Sequence, residues 1–196
     1  MTTSPAHDEK EKALQFDISE NRRTRKWTKR ELLGRALWET VGKTLFALSP
    51  RPLWGARRVL LRAFGAQVGR DVHILPSVKI TIPWNLEVQQ FASVGEQAIL
   101  YSLGRITIGE RATISQYAHI CAGTHDYRKK SFDLLKSPIN IGSDAWICAN
   151  AFIGPGVTIG KRAIVGACAV IMTNVEDGNI MAGNPARVIG ERPELE

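Results

Sequence analysis

The chain predicts an all-β solenoid with a helical appendage at its N-terminus, and three observations carry that prediction. A β-branched residue recurs at every sixth position over a long stretch, and small residues recur at fixed places between those. The first third has another rhythm, with apolar residues three or four apart and a marked excess of basic charge. The 196 residues, 44% hydrophobic and 23% charged, suffice for one packed domain and a smaller attachment, and exclude a disordered or collagen-like chain.

Residues 1–20 read as a disordered polar tail, with no apolar run that would make a secretory signal or a transmembrane start. Residues 21–66 read as a basic helical region. From Lys29 to Leu48, the spacing of Leu33, Leu37, Val41, Leu45 and Leu48 is that of one apolar helix face. "SPRP" at 49–52 ends that helix, because proline lacks the backbone donor that a continuing helix needs. A second short basic helix follows in "LWGARRVLLRAFGAQ" and stops near Gly65, and Trp27, Trp38 and Trp54 punctuate the region.

Residues 67–183 carry the hexads. Ile141, Ile147, Ile153, Ile159, Val165 and Ile171 stand six apart, with Ala145, Ala151, Val157, Ala163 and Ala169 four places after successive members. Neither a helix of period 3.6 nor a strand of period 2 produces this pattern. Three six-residue faces per turn of a triangular coil do: the aliphatic residues stack inside, and small residues let the chain bend at the corners. Glycine at several corners is expected to supply backbone angles that other residues avoid. Ile108, Ile114 and Ile120 form an earlier copy; Val68, Ile74, Ile80 and Leu86 form a fainter one; Val94, Leu100 and Ile106 sit in a shifted phase. About six turns result.

From Ile120 to Ile141 is 21 residues, not a multiple of six. The polar, basic stretch 122–138 therefore leaves the coil as a loop. Residues 184–196 read as a C-terminal tail.

"ISQYAHICAGTHDY", "PINIGSDAWICANAFIGPGVTIGKRAIVGACAVI" and "MAGNPARVIG" resemble the hexapeptide-repeat acyltransferases, in particular the colanic acid or exopolysaccharide type of sugar O-acetyltransferase. That resemblance implies a left-handed parallel β-helix, a homotrimer with sites between neighbouring subunits, acetyl-coenzyme A as cosubstrate, no metal, and a sugar or lipid-linked glycan as acceptor. His125 matches the family's catalytic histidine, and its chemistry suits the role: imidazole titrates near neutrality and can take the alcohol proton as the ester forms. Asp126, its neighbour, is a candidate to orient the ring. The resemblance places the donor against Trp146, Ala149, Ala167, Thr173, Pro185 and Arg187, small residues for the pantetheine arm and a cation for the phosphates. Where relatives have a lysine, the sequence Met172-Thr173-Asn174 has none. The acceptor would meet Asn85, Tyr101 and Ser102.

The γ-type carbonic anhydrases share the fold, but the spacing of His119 and His125 departs from theirs, and the acid of their proton relay is missing. His119 reads as an outward or inter-subunit residue, and His73 has no partner at useful spacing. Alternative acceptors are a nucleotide-sugar amine, a simple sugar or an antibiotic; the non-enzymatic alternative is a trimeric scaffold.

Three cysteines, with no CxxC pair, read as reduced thiols in a cytoplasm. The net charge of +7 is uneven: residues 21–70 hold thirteen Arg or Lys against Glu31 and Glu39, a balance of +11 that leaves −4 elsewhere. No nucleic-acid motif accompanies that charge, and tryptophans beside apolar helix faces point instead to an anionic membrane surface contacted by residues 21–66, at the inner face of the cytoplasmic membrane.

Overall fold

The computed structural model describes residues 15–194. Most of the expected polar tail, residues 1–14, lies outside the described residues; its end does not stay irregular, because a first helix, α1, spans Ile18–Arg23.

The hexads wind into a parallel β-solenoid of about six turns, the expected architecture. One face pairs Gln67–Val68, Leu86–Val88, Ile106–Ile108, Ile139–Ile141 and Thr158–Ile159 in parallel register, so that Val68, Val88, Ile108, Ile141 and Ile159 stack as one internal ladder. On the second face the ladder is Ile74, Val94, Ile114, Ile147, Val165 and Met181, and on the third Ile80, Leu100, Ile120, Ile153 and Ile171. Each of these buried side chains contributes about 1.5–3 kcal/mol relative to an exposed one.

The corner chemistry differs from the expectation. Gly142, Gly154, Gly160 and Gly166 do not hold the left-handed angles; those fall two residues later, on Asp144, Gly156, Arg162 and Cys168. The glycines are there because the next turn passes too close for a side chain. A Cβ on Gly142 would stand 2.6 Å from Lys161 N, and one on Gly160 2.4 Å from Asp177 N.

The shifted phase also has a physical cause. From Ile80 to Val88 and from Leu100 to Ile108 the chain takes eight residues, where most sides take six. The two extra residues widen one corner, between the third and first faces, in both early turns. In the following turn the same corner opens fully: the chain leaves after Cys121, forms an antiparallel pair between Thr124–His125 and Leu134–Leu135, and returns at Ile139.

At the far end, Asn179–Gly183 and Ala186–Glu191 form an antiparallel pair, so Ala186–Glu191 of the expected tail is a strand closing the second face.

The appendage covers the near end of the coil. Its elements are α2 (Lys29–Leu37), a π-helical turn (Trp38–Gly42), α3 (Lys43–Leu48) and α4 (Trp54–Ala63). Thr28 and Glu31 start α2 with reciprocal hydrogen bonds, each to the other's backbone N–H. The face turned to the coil is not the leucine series but the series one residue ahead of Leu33, Leu37, Val41 and Leu45: Gly34, Trp38, Gly42 and Phe46. Trp38 is buried, donates from Nε1 to Ile80 O at 2.9 Å, and meets Phe46 and Phe64 edge-on. A Cβ on Gly42 would lie 2.2 Å from the Trp38 ring, so indole and glycine fit only together. Leu33, Leu37, Val41, Leu45 and Leu48 remain 48–76% exposed. Arg57 on α4 is buried and satisfied: Nε donates to Ile74 O, and the two Nη atoms donate to Ser49 Oγ and to the carbonyls of Pro50 and Arg51, which locks the "SPRP" bend onto the coil.

Candidate active site

His125 sits one residue into the hairpin that leaves the widened corner and is half-buried. Its Nδ1 lies 2.8 Å from Phe132 O, and its ring stacks on the Phe132 ring at 4.4 Å and 3°. A carbonyl oxygen only accepts, so Nδ1 of the neutral ring carries the hydrogen and Nε2 keeps a lone pair. Phe132 itself has φ +47°, a left-handed angle unusual for a large side chain, and this conformation presents its carbonyl to the imidazole.

Asp126 does not orient the ring. Its Oδ1 accepts from Arg128 N at 3.1 Å and Arg128 Nε at 3.4 Å, and its own N–H donates to Asp133 O. The orienting group is seven residues along the chain, on a backbone atom that carries no sequence signature. The nearby Asp133 carboxyl is held below the usual carboxylate range, chiefly by the Ser131 hydroxyl and then by Lys129.

The widened corner gathers the expected acceptor residues beneath this loop. Asn85 donates both amide hydrogens, to Ser102 O and Leu103 O at 2.9 Å each. Ser102 is fully buried; its hydroxyl accepts from Ile82 N and donates to Ile82 O, both at 2.9 Å, so it staples two turns together and has no hydrogen left to offer outward. Tyr101 is exposed and underlies the start of the loop, where a Cβ on Gly123 would come within 3.2 Å of its ring.

The expected donor residues lie elsewhere on the same chain. Ala149 and Ala167 occupy one corner in successive turns, joined by Cys168 N–H donating to Ala149 O at 2.9 Å. Trp146 projects from the second face, exposed, with Nε1 donating to Ser115 Oγ at 2.9 Å. Thr173 is exposed at the corner between the third and first faces two turns beyond the loop, while Pro185 and Arg187 are exposed at the terminal strand pair. A single chain therefore stacks the two alanines together at one corner and places the acceptor candidates at another, the one from which the His125 loop departs.

His119 stands between Tyr101 and Phe152, edge to face with both; burial pushes its pKa down, and its Nε2 has no partner. His73, without a partner in the sequence reading, stacks on Trp54 at 4.5 Å. Among the described residues, no group of three His, Cys, Asp or Glu side chains is gathered as a metal site would require. The cysteines are unpaired.

The family of bacterial transferase hexapeptides (six repeats) matches residues 138–173. Over 160 residues the chain is 45% identical to the putative colanic acid biosynthesis acetyltransferase WcaF of Escherichia coli K12, spanning 82% of this chain and 88% of that one. The chain belongs to the hexapeptide-repeat acetyltransferases. The chain is also similar to the galactoside O-acetyltransferase of E. coli K12, 26% identical over 138 residues, 69% of this chain and 68% of that one. The acetyltransferase VCA0836 of Vibrio cholerae, solved with acetyl-coenzyme A, has the same fold, with TM-score 0.77, 23% identity, and coverage of 85% of this chain and 91% of that one. As an acetyltransferase of this family, the chain is an acyltransferase enzyme. The trimeric-scaffold alternative is thereby set aside.

Proposed function

We propose that this acetyltransferase moves the acetyl group of acetyl-coenzyme A to a sugar hydroxyl in exopolysaccharide or cell-surface glycan biosynthesis, with His125 as general base. The observation that carries the proposal is the hydrogen bond from Nδ1 to Phe132 O, which leaves Nε2 free to accept. In the reaction, Nε2 takes the proton of the acceptor hydroxyl while that oxygen attacks the thioester carbonyl carbon. The tetrahedral oxyanion then collapses, the carbon–sulfur bond breaks, and the imidazolium returns its proton to the leaving sulfur. The site assembles between copies of a homotrimer, Trp146, Ala149, Ala167, Thr173, Pro185 and Arg187 of one subunit holding the donor beside the His125 loop of another; the separation of these groups on one chain favours this. On the acceptor side Tyr101 contacts the sugar, while Asn85 and Ser102 hold the corner beneath it. The test is acetyl transfer to a panel of sugars by wild type and His125→Ala. The variant is expected to lose roughly a hundredfold or more in kcat with coenzyme binding kept; equal rates would overturn the assignment.

The partner of residues 21–66 is an anionic bilayer at the cytoplasmic face, where lipid-linked acceptors would be presented. The support is the exposed aliphatic row from Leu33 to Leu48 together with the local balance of +11. The tryptophans do not supply this contact, since Trp38 is internal, Trp54 stacks on His73, and Trp27 is covered by Arg35 and Lys136. No described helix is long and apolar enough to cross a membrane. Cosedimentation with phosphatidylglycerol vesicles, weakened by salt and by Leu37→Asp, is the expected result. Salt-insensitive or absent binding, or a change of oligomeric state in the variant, overturns the membrane reading, the last by making the row a contact between copies.

A further inference from the structure

Acetyl transfer alone does not explain why the N-terminal segment is folded over the His125 loop, 110 residues away in sequence. Asn21 on α1 is only 8% exposed, and its amide nitrogen donates to two consecutive carbonyls of that loop, Ser131 O at 2.6 Å and Phe132 O at 2.8 Å. Its Oδ1 accepts from Lys26 Nζ, which fixes the amide's direction, since an ammonium only donates. Asp17 N–H donates to Lys130 O at 2.6 Å, and the Phe16 ring packs on the Phe132 ring at 4.8 Å. Phe132 O therefore receives Asn21 Nδ2 and His125 Nδ1 together, one donor for each lone pair.

We propose that Asn21 is a positioning residue for His125. It clamps the Ser131 and Phe132 peptides so that the Phe132 carbonyl holds the imidazole with its hydrogen on Nδ1. The clamp is needed because, among the described residues, the hydrogen bonds that the Lys130–Phe132 carbonyls receive from outside the loop come from Asp17 and Asn21 and not from the coil. The left-handed angle at Phe132 is unfavourable for a large side chain and persists only where surrounding contacts over-determine it. Without Asn21 the peptide relaxes, the carbonyl turns away, and Nδ1 loses its acceptor. This inference rests on the proposed role of His125 for its kinetic consequence, but not for its structural one.

The two consequences are read separately in the full chain. Selective 15N labelling of the four histidines reports the tautomer of His125 directly. Asn21→Leu is expected to turn a single Nδ1–H form into a mixture. It should lower kcat about tenfold to a hundredfold, with KM for acetyl-coenzyme A within about twofold of wild type. Asn21→Asp, equal in size but without the donor, should do the same and carries the test if the leucine variant does not fold. An unchanged His125 tautomer in the folded variants overturns the proposal, as does an effect confined to KM. If the tautomer shifts while His125→Ala keeps full activity, the clamp stands and the catalytic reading falls.

Discussion

The coil and the loop that leaves it are built on opposite principles. Inside the coil, position is set by repetition. Ile147 rests between Ile114 and Val165 because each occupies the same place in its own turn, and any residue of similar shape at that place would serve. In the loop nothing repeats. His125 is placed by a carbonyl seven residues on, and that carbonyl by an asparagine more than a hundred residues back. Repetition gives a stiff frame at low information cost; the unique contacts are reserved for the place where a proton is to be moved.

The sharpest way to break this contrast is to put a charge in the column. Ile147→Asp buries a carboxylate with no partner, and a loss of about 4 kcal/mol or more is expected, seen as absence of a cooperative unfolding transition or of soluble protein. His125→Ala is the converse: the expected hundredfold loss in kcat should come with an unchanged denaturant midpoint, because the loop adds no rung to the ladders. If this variant unfolded as easily as a coil variant, loop and frame would not be separable. The smallest effect is electrostatic and confined to the coil's surface. Asp144 is held below the usual carboxylate range first by its hydrogen bonds to Arg111 and then by the charges of Arg111, Arg192 and Arg162. A carboxyl whose folded pKa is depressed stabilises fully above its unfolded value near 3.8, and loses that contribution as pH falls through the folded value. Asp144→Asn should therefore lower Tm slightly near neutrality, leave Tm in acid almost unchanged, and so flatten the fall of Tm below about pH 4.

What could be read from sequence follows the same division. The internal ladders were legible because a period of six is a local property, and so was the exit of the loop, because 21 residues between Ile120 and Ile141 break that period. The widened corner was visible only as a phase shift around Val94 and Leu100; its meaning needed the register of neighbouring turns. The inward face of the appendage was not legible, because hydropathy marks the leucine row while the coil end selects a shape, the Trp38 ring resting on Gly42. Asp126 was proposed as the orienter because it is adjacent in sequence, and adjacency in a hairpin sends alternate side chains to opposite sides. Ser102 offered a hydroxyl in the right segment, but burial and two bonds to Ile82 cannot be read from residue type.

The corners carry one more consequence. Gln97 and Tyr117 both hold left-handed backbone angles, φ +56° and +60°, although neither residue favours them. Asparagine visits that region readily, and each ordinary residue kept there costs roughly 1–2 kcal/mol. Exchanging such residues for asparagine would harden the protein against heat at sites outside the ladders and the histidine loop. The triangular column thus arrives with its own schedule of engineering positions, spaced by the winding itself.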